Sequence, residues 1–206
     1  MKFFHLLVLH IGLKLFNRDL REDQEYILRQ ITDLAVREQP EAVVIAGDIY
    51  DKAVPSAEAV EVFDRFIAGL NAALPDTAVM MIAGNHDSGP RINCFRSVLS
   101  RQNVYMIGQP PRAEGEQIEK VTLEDECGPV NFYLLPFVRP SMVKQLTGVD
   151  ENGNNLSYDE TLRRLIGREE IDLSQRNVIV SHQFYLPAGT HAEDVERMDS
   201  EIRTVG

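Results

Sequence analysis

The chain has 206 residues, of which 44% are hydrophobic and 26% charged, and this suits one globular domain with a sizeable core. Its formal net charge of −11 argues against a protein that holds nucleic acid through a basic surface alone. A bound divalent metal or a basic partner would supply the missing positive charge. The two cysteines, Cys94 and Cys127, form no metal-binding or redox spacing and indicate a reducing, cytoplasmic setting.

The first predicted element is a buried strand over residues 2–9, within the apolar stretch FFHLLVLHIG. This stretch imitates a secretion signal, but no small-residue cleavage site follows it, and the nearby segment KLFNRDLRED is charged. No apolar run in the sequence reaches the roughly 18 residues that a membrane span needs. We therefore expect a cytoplasmic protein that does not enter a membrane.

Strands and helices then alternate through the first half of the chain. The predicted elements are a helix over 20–39, a strand over 41–48, a helix from the N-cap Ser56 to about residue 73, a strand over 77–85 and a helix near 91–100. Together with the first strand they give the order β-α-β-α-β. This order is typical of a parallel sheet covered by helices.

The pattern changes after about residue 118. Segments 117–125 and 129–137 alternate in polarity and are separated by a CGP turn, which predicts a hairpin and a second, mixed sheet. A helix is predicted over 157–167, and a further buried strand over 176–184.

Polar side chains follow the predicted buried strands at their carboxyl ends. They are His10, Asp48, Asn85, His86 and His182. In open α/β sheets these ends form the binding crevice. Oxygen and nitrogen donors suit Mn, Fe or Zn better than soft metals, and a carboxylate such as Asp48 can bridge two ions that clamp a phosphate.

The segments GDIYD, GNHDS and SHQF, in this order, resemble the calcineurin-like metallophosphoesterase family. Within it, HIG and LPFVRP resemble DNA nuclease subunits that work with an ATPase partner. The resemblance covers essentially residues 1–206. It implies an α/β sandwich of mixed β-sheets flanked by helices, in α-β-β-α layers. It also implies two divalent metal ions, most simply Mn, with Mg, Fe and Zn left open.

The resemblance also implies a role for each matching residue. The metal ligands would be His10 for the first ion, Asp48 bridging both ions, and Asn85 and His182 for the second ion. His86 would not be a ligand, but would contact the scissile phosphate and protonate the leaving oxygen. Asp87 would orient His86, and Asp51 would brace the turn after Asp48. His5 is interpreted as a core histidine and not as a ligand.

Two departures from the family pattern matter. The family places a metal-binding aspartate where this chain has Val8, and valine has no donor atom. The late Gly-His-x-His motif of the family does not occur within the 206 residues, and His191 does not match it. We therefore expect the N-terminal part of a longer nuclease, without its cap and partner-binding regions. We also expect weak metal binding and little or no manganese-dependent nuclease activity.

The expected function is that of a nuclease subunit in DNA repair and recombination. It would act as an exonuclease on duplex ends and as an endonuclease on single strands and hairpins, with an ATPase as partner and a homodimer left open. Two alternatives remain at this point. One is a metallophosphoesterase that acts on small phosphodiesters or phosphoproteins. The other is a non-catalytic scaffold, for which Val8 is the best support.

Overall fold

A computed structural model describes residues 1–185 and the backbone of residues 204–205. The strands are β1 Phe3–Leu6, β2 Lys14–Leu15, β3 Arg18–Asp19, β4 Ala42–Ala46, β5 Ala78–Ile82, β6 Val104–Ile107, β7 Glu119–Asp125, β8 Gly128–Leu135, β9 Arg176–Ser181, β10 Phe184–Tyr185 and β11 Thr204–Val205. The helices are α1 Arg21–Glu38, α2 Ala57–Ala73, α3 Gly89–Ile92, α4 Arg96–Leu99, α5 Pro140–Thr147 and α6 Tyr158–Ile166. None of these helices is long and apolar enough to cross a membrane.

The first sheet has the strand order β1-β4-β5-β6, and all its pairs are parallel. Its two central strands, β4 and β5, are buried on both faces. Alternate side chains explain this burial, because Val43 and Met81 pack towards α1 and α2, whereas Val44 and Met80 face the second sheet. The continuous apolar runs of these strands are therefore a consequence of a sheet covered on both sides.

The second sheet has the order β7-β8-β9 and is mixed, since β7 and β8 are antiparallel while β8 and β9 are parallel. Phe132 and Leu134 on β8 pack against the first sheet, and Tyr133 and Leu135 face the opposite side. There they meet apolar residues of α5 and α6, such as Leu162. The layers are therefore α-β-β-α, which confirms the predicted fold class.

Two serines begin long helices as their chemistry predicts. The hydroxyl of Ser56 accepts a hydrogen bond from the amide of Ala59 at 3.3 Å, and α2 begins at the next residue. Ser157 caps α6 in the same way, with the amide of Glu160 at 3.1 Å.

Local structure differs from the sequence-based prediction at several points. β1 ends at Leu6 and is a half-exposed edge strand, because Leu7 to His10 must turn away to bring His10 towards β4. The helix predicted near 91–100 is two short helices, since Phe95 between them has φ 60°. The sequence analysis also missed the β2–β3 hairpin, β6 and α5, which are all eight residues long or shorter.

Candidate metal centre

The candidate site lies where strands of the two sheets end. Asp48 follows β4, Asn85 and His86 follow β5, and His182 directly follows β9. His10 comes from the loop after β1, where its amide donates a hydrogen bond to the Asp48 carbonyl at 2.9 Å. The fold therefore brings together the candidate ligands and the candidate acid that the sequence singles out.

Asp48 is the centre of this cluster and is only 3% exposed. Its Oδ1 accepts a hydrogen bond from the His86 amide at 3.0 Å. Its Oδ2 lies 3.2 Å from Nε2 of His182 and 3.7 Å from Nε2 of His10. One carboxylate thus faces histidines that come from different sheets, an arrangement that allows it to bridge two ions.

His182 presents one defined nitrogen to the site. Its Nδ1 lies 2.7 Å from the Ala46 carbonyl, and because a carbonyl only accepts, Nδ1 carries the proton. Its Nε2 lies 3.1 Å from Oδ1 of Asn85, in addition to the nearby Asp48 oxygen. Two oxygen acceptors around one ring nitrogen require a positive charge, which either a proton on Nε2 or a metal ion provides.

The ring of His10 carries an unsatisfied polar atom. Its Nδ1 is buried and has no hydrogen-bond partner among the described residues. The ring packs edge-on against His86, with the centroids 4.7 Å apart. A buried polar nitrogen without a partner costs free energy, and metal ligation would satisfy such a group.

Burial and charge act in opposite directions on the Asp48–His182 pair. Burial raises the pKa of the Asp48 carboxyl, but hydrogen bonds from His182 and from the His86 amide outweigh it, so the pKa of Asp48 is lowered. Burial lowers the pKa of the His182 imidazole, but its hydrogen bonds to Asp48 and the Ala46 carbonyl raise it overall. The site therefore favours an ionised carboxylate beside a positive charge.

His86 is oriented by the backbone of Asp51. Nδ1 of His86 lies 2.9 Å from the Asp51 carbonyl, so Nδ1–H donates and Nε2 is the nitrogen left free. The amide of Asp51 in turn donates to the Ile11 carbonyl at 3.2 Å, which ties this loop to the segment after His10. Asp51 thus reaches the site through its main chain.

The Asp87 carboxylate joins the loops after β4 and β5. Its Oδ2 accepts hydrogen bonds from the amides of Ile49 and Gly84 at 3.0 and 2.9 Å, and its Oδ1 accepts one from the amide of Tyr50 at 2.9 Å. The sequence analysis expects Asp87 to orient His86, but the contact that the structure gives to the His86 ring is the Asp51 carbonyl. Asp87 instead holds the backbone that carries Asp48 and Asn85.

Two glycines make room for the site, and the sequence analysis missed them. A Cβ on Gly84 would collide with Oδ1 of Asp48, and one on Gly47 would collide with Nδ1 of His182. Gly47 also has φ +92°, which favours glycine. The signal was present in the sequence, because the same Ala-Gly pair precedes both Asp48 and Asn85.

The donor set fits a divalent metal ion. Ligand atoms of His10, Asp48 and His86 all lie within 4.8 Å of one another. Asn85 and His182 add an oxygen and a nitrogen beside the same carboxylate. Oxygen and imidazole donors without sulfur suit Mn, Fe or Zn. His86 is close enough to this group that its role, ligand or acid, is a question for experiment.

The sequence matches the family model of the calcineurin-like phosphoesterases over residues 5–195. The chain therefore belongs to this family of metallophosphoesterases, which use divalent metals. It is similar to the SbcD subunit of the nuclease SbcCD from Staphylococcus epidermidis, with 30% identity over 88% of this chain and 46% of the relative. The protein of the same name from Staphylococcus saprophyticus gives the same three values. The chain thus spans about half the length of these relatives.

Val8 stands in a strained position two residues before His10. It has φ 52° and is 44% exposed, although a β-branched residue rarely adopts a positive φ. Aspartate and asparagine tolerate this left-handed conformation better than other side chains do. The backbone therefore suits the aspartate that the family resemblance places here.

Replacing Gly84 by alanine should disrupt the metal centre without removing a ligand. The added Cβ collides with the Asp48 side chain and with its backbone amide, so Asp48 must move. We expect Mn²⁺ affinity, measured by calorimetry, to fall about tenfold or more, in line with the loss of a supporting contact at a metal site. Gly69→Ala is the control, because Gly69 lies in α2 with open space around it and should leave affinity unchanged.

Replacing Val8 by aspartate should strengthen metal binding. The variant adds a carboxylate and also relieves the strained backbone, so we expect tighter Mn²⁺ binding in calorimetry and an unchanged or higher melting temperature. Val8→Asn separates the two effects, since it relieves the backbone but adds no charge. Equal Mn²⁺ affinity for Val8→Asp and Val8→Asn would contradict a ligand role at this position.

Proposed function

We propose that this chain is the phosphodiesterase part of a metal-dependent DNA nuclease subunit that acts with an SbcC-like ATPase. The observation that carries the proposal is the convergence of His10, His86 and His182 on one buried carboxylate, Asp48. The name of the Staphylococcus relatives supports DNA as substrate and an ATPase as partner. Duplex ends, single strands and hairpins are the proposed substrates.

The described residues offer places for two divalent ions, proposed as Mn²⁺. His10 and Asp48 would hold one ion, and Asp48, Asn85 and His182 the other. When bound, such ions supply positive charge that stabilises the phosphoryl oxygens during hydrolysis. Asp87 keeps the ligands in place by binding the backbone of both ligand-bearing loops.

His86 is the proposed general acid. Its Nδ1–H is committed to the Asp51 carbonyl, so Nε2 is the atom that holds the proton for the leaving oxygen. The edge-on packing against His10 fixes the plane of the ring beside the metal ligands. A general acid of this kind contributes roughly 10²–10⁴-fold to the rate.

Activity of this chain is proposed to be weak. Val8 offers no donor atom, so the first ion keeps only His10 and Asp48 from the ligands that the family resemblance implies. The proposal also includes a role in DNA repair and recombination, a cytoplasmic location and a homodimer. The similarity to the SbcD component of a nuclease complex supports the repair role.

The role of His86 can be tested by measuring hydrolysis and metal affinity in the same variants. In the Val8→Asp background we expect Mn²⁺-dependent cleavage of a labelled single-stranded oligonucleotide above that of the unmodified chain. Adding His86→Ala should lower cleavage by about 10²–10⁴-fold and leave Mn²⁺ affinity unchanged, because an acid is lost and no ligand. A parallel fall in Mn²⁺ affinity would instead make His86 a ligand.

The same assay separates the alternative functions. Hydrolysis of bis(p-nitrophenyl) phosphate without cleavage of DNA would replace the nuclease by an enzyme for small phosphodiesters. Tight Mn²⁺ binding by Val8→Asp without hydrolysis of either substrate would favour a non-catalytic scaffold. Robust DNA cleavage by the unmodified chain, lost on His86→Ala, would overturn the proposal of weak activity and keep the nuclease.

A further inference from the structure

A small hairpin projects from the surface beside the candidate metal centre. Strands β2 and β3 pair antiparallel over two residues each, and all the residues from Lys14 to Asp19 are exposed. A two-stranded hairpin of this size is marginally stable in water on its own. Its base is nevertheless fixed, because Ile11 is 2% exposed and its amide donates to the Ile49 carbonyl at 2.9 Å.

The tip of this hairpin carries an aromatic side chain that packing does not explain. Phe16 is 94% exposed, the highest value for a large hydrophobic residue in the part of the chain that the structure describes. Phe16 and Asn17 have φ 48° and 63°, which is the tight type I′ turn that favours asparagine and glycine. A bulky residue in this strained and exposed position is a reason to look for a function.

The hairpin also borders a cavity that contains positive charge. The cavity has a volume of about 470 Å³ and is lined by Lys14, Arg21 and Lys52, among others. None of these three cations has an ion-pair partner within the described residues, although the chain as a whole is strongly acidic. Of the carboxylates in the lining, Asp19 already accepts a hydrogen bond from the Arg21 amide.

The cavity is connected to the candidate metal centre through the main chain. Asp51 lines it and also orients His86 with its carbonyl. Phe16 follows His10 by six residues, so its Cα lies within about 20 Å of that ligand. A nucleic acid strand with one phosphate at the metal centre can therefore reach the tip of the hairpin with a base a few nucleotides away.

We propose that Phe16 stacks on an unpaired base of the nucleic acid substrate, while Lys14, Arg21 and Lys52 contact the neighbouring phosphates. This inference rests on the proposed nuclease function and adds a preference for unpaired bases near the cleaved bond. Stacking suits an aromatic residue that no other side chain covers, because every base offers a flat face. The exposed cations explain how an acidic chain can hold phosphates locally.

The test compares Phe16→Asn with Phe16→Trp in binding to a single-stranded oligonucleotide that contains 2-aminopurine. Asparagine suits the type I′ turn, so the melting temperature should stay or rise, whereas binding should weaken about 5- to 100-fold. Phe16→Trp should bind within about twofold of the unmodified chain and keep the quenching of 2-aminopurine that stacking causes. Fully paired duplex without free ends should bind all three proteins equally.

A second pair of substitutions tests the cations separately. Lys14→Gln with Lys52→Gln should reduce the slope of log affinity against log salt by about 1.4, since each single-strand phosphate contact contributes about 0.7. Unchanged binding and quenching in Phe16→Asn would overturn the stacking role and leave the nuclease proposal intact. A lack of any nucleic acid binding by the unmodified chain would overturn both.

Discussion

The burial of the Asp48 carboxylate between the two sheets is the constraint on which the rest of the site depends. A carboxylate that is 3% exposed is costly unless positive charge and hydrogen bonds surround it. The His86 amide, His182 and His10 supply these partners from three different loops. Gly84 supplies the space, because a larger residue there would displace the carboxylate. The packing of one sheet on the other therefore decides whether the metal centre forms.

Much of the fold could be predicted because burial on both faces leaves a clear signature in the sequence. The strands β4 and β5 read as continuous apolar runs, and both are covered by helices on one side and by the second sheet on the other. Asp48, Asn85 and His182 could be proposed for the same reason, since each follows such a run. The gathering of these residues at one edge follows from parallel strands that end together.

What could not be predicted depends on contacts between residues far apart in the chain. The turn of the chain after Leu6 is imposed by the backbone hydrogen bond of His10 to Asp48, so an apolar run predicts too long a strand. The role of Asp87 rests on backbone amides of two loops, and no spacing in the sequence reveals it. The exposure of Phe16 likewise becomes visible only when the hairpin is seen to stand clear of the core.

The central claim is that His10 and His182 are ligands to a divalent ion bound at Asp48. The most direct measurement is a titration with Zn²⁺, a diamagnetic ion of the same charge, followed by ¹H–¹⁵N NMR of the imidazole nitrogens. We predict that the ring signals of His10 and His182 shift on ligation and that those of His5, on the exposed edge strand, do not. Unchanged His10 and His182 signals at saturating Zn²⁺, or the same response after Asp48→Asn, would contradict the account.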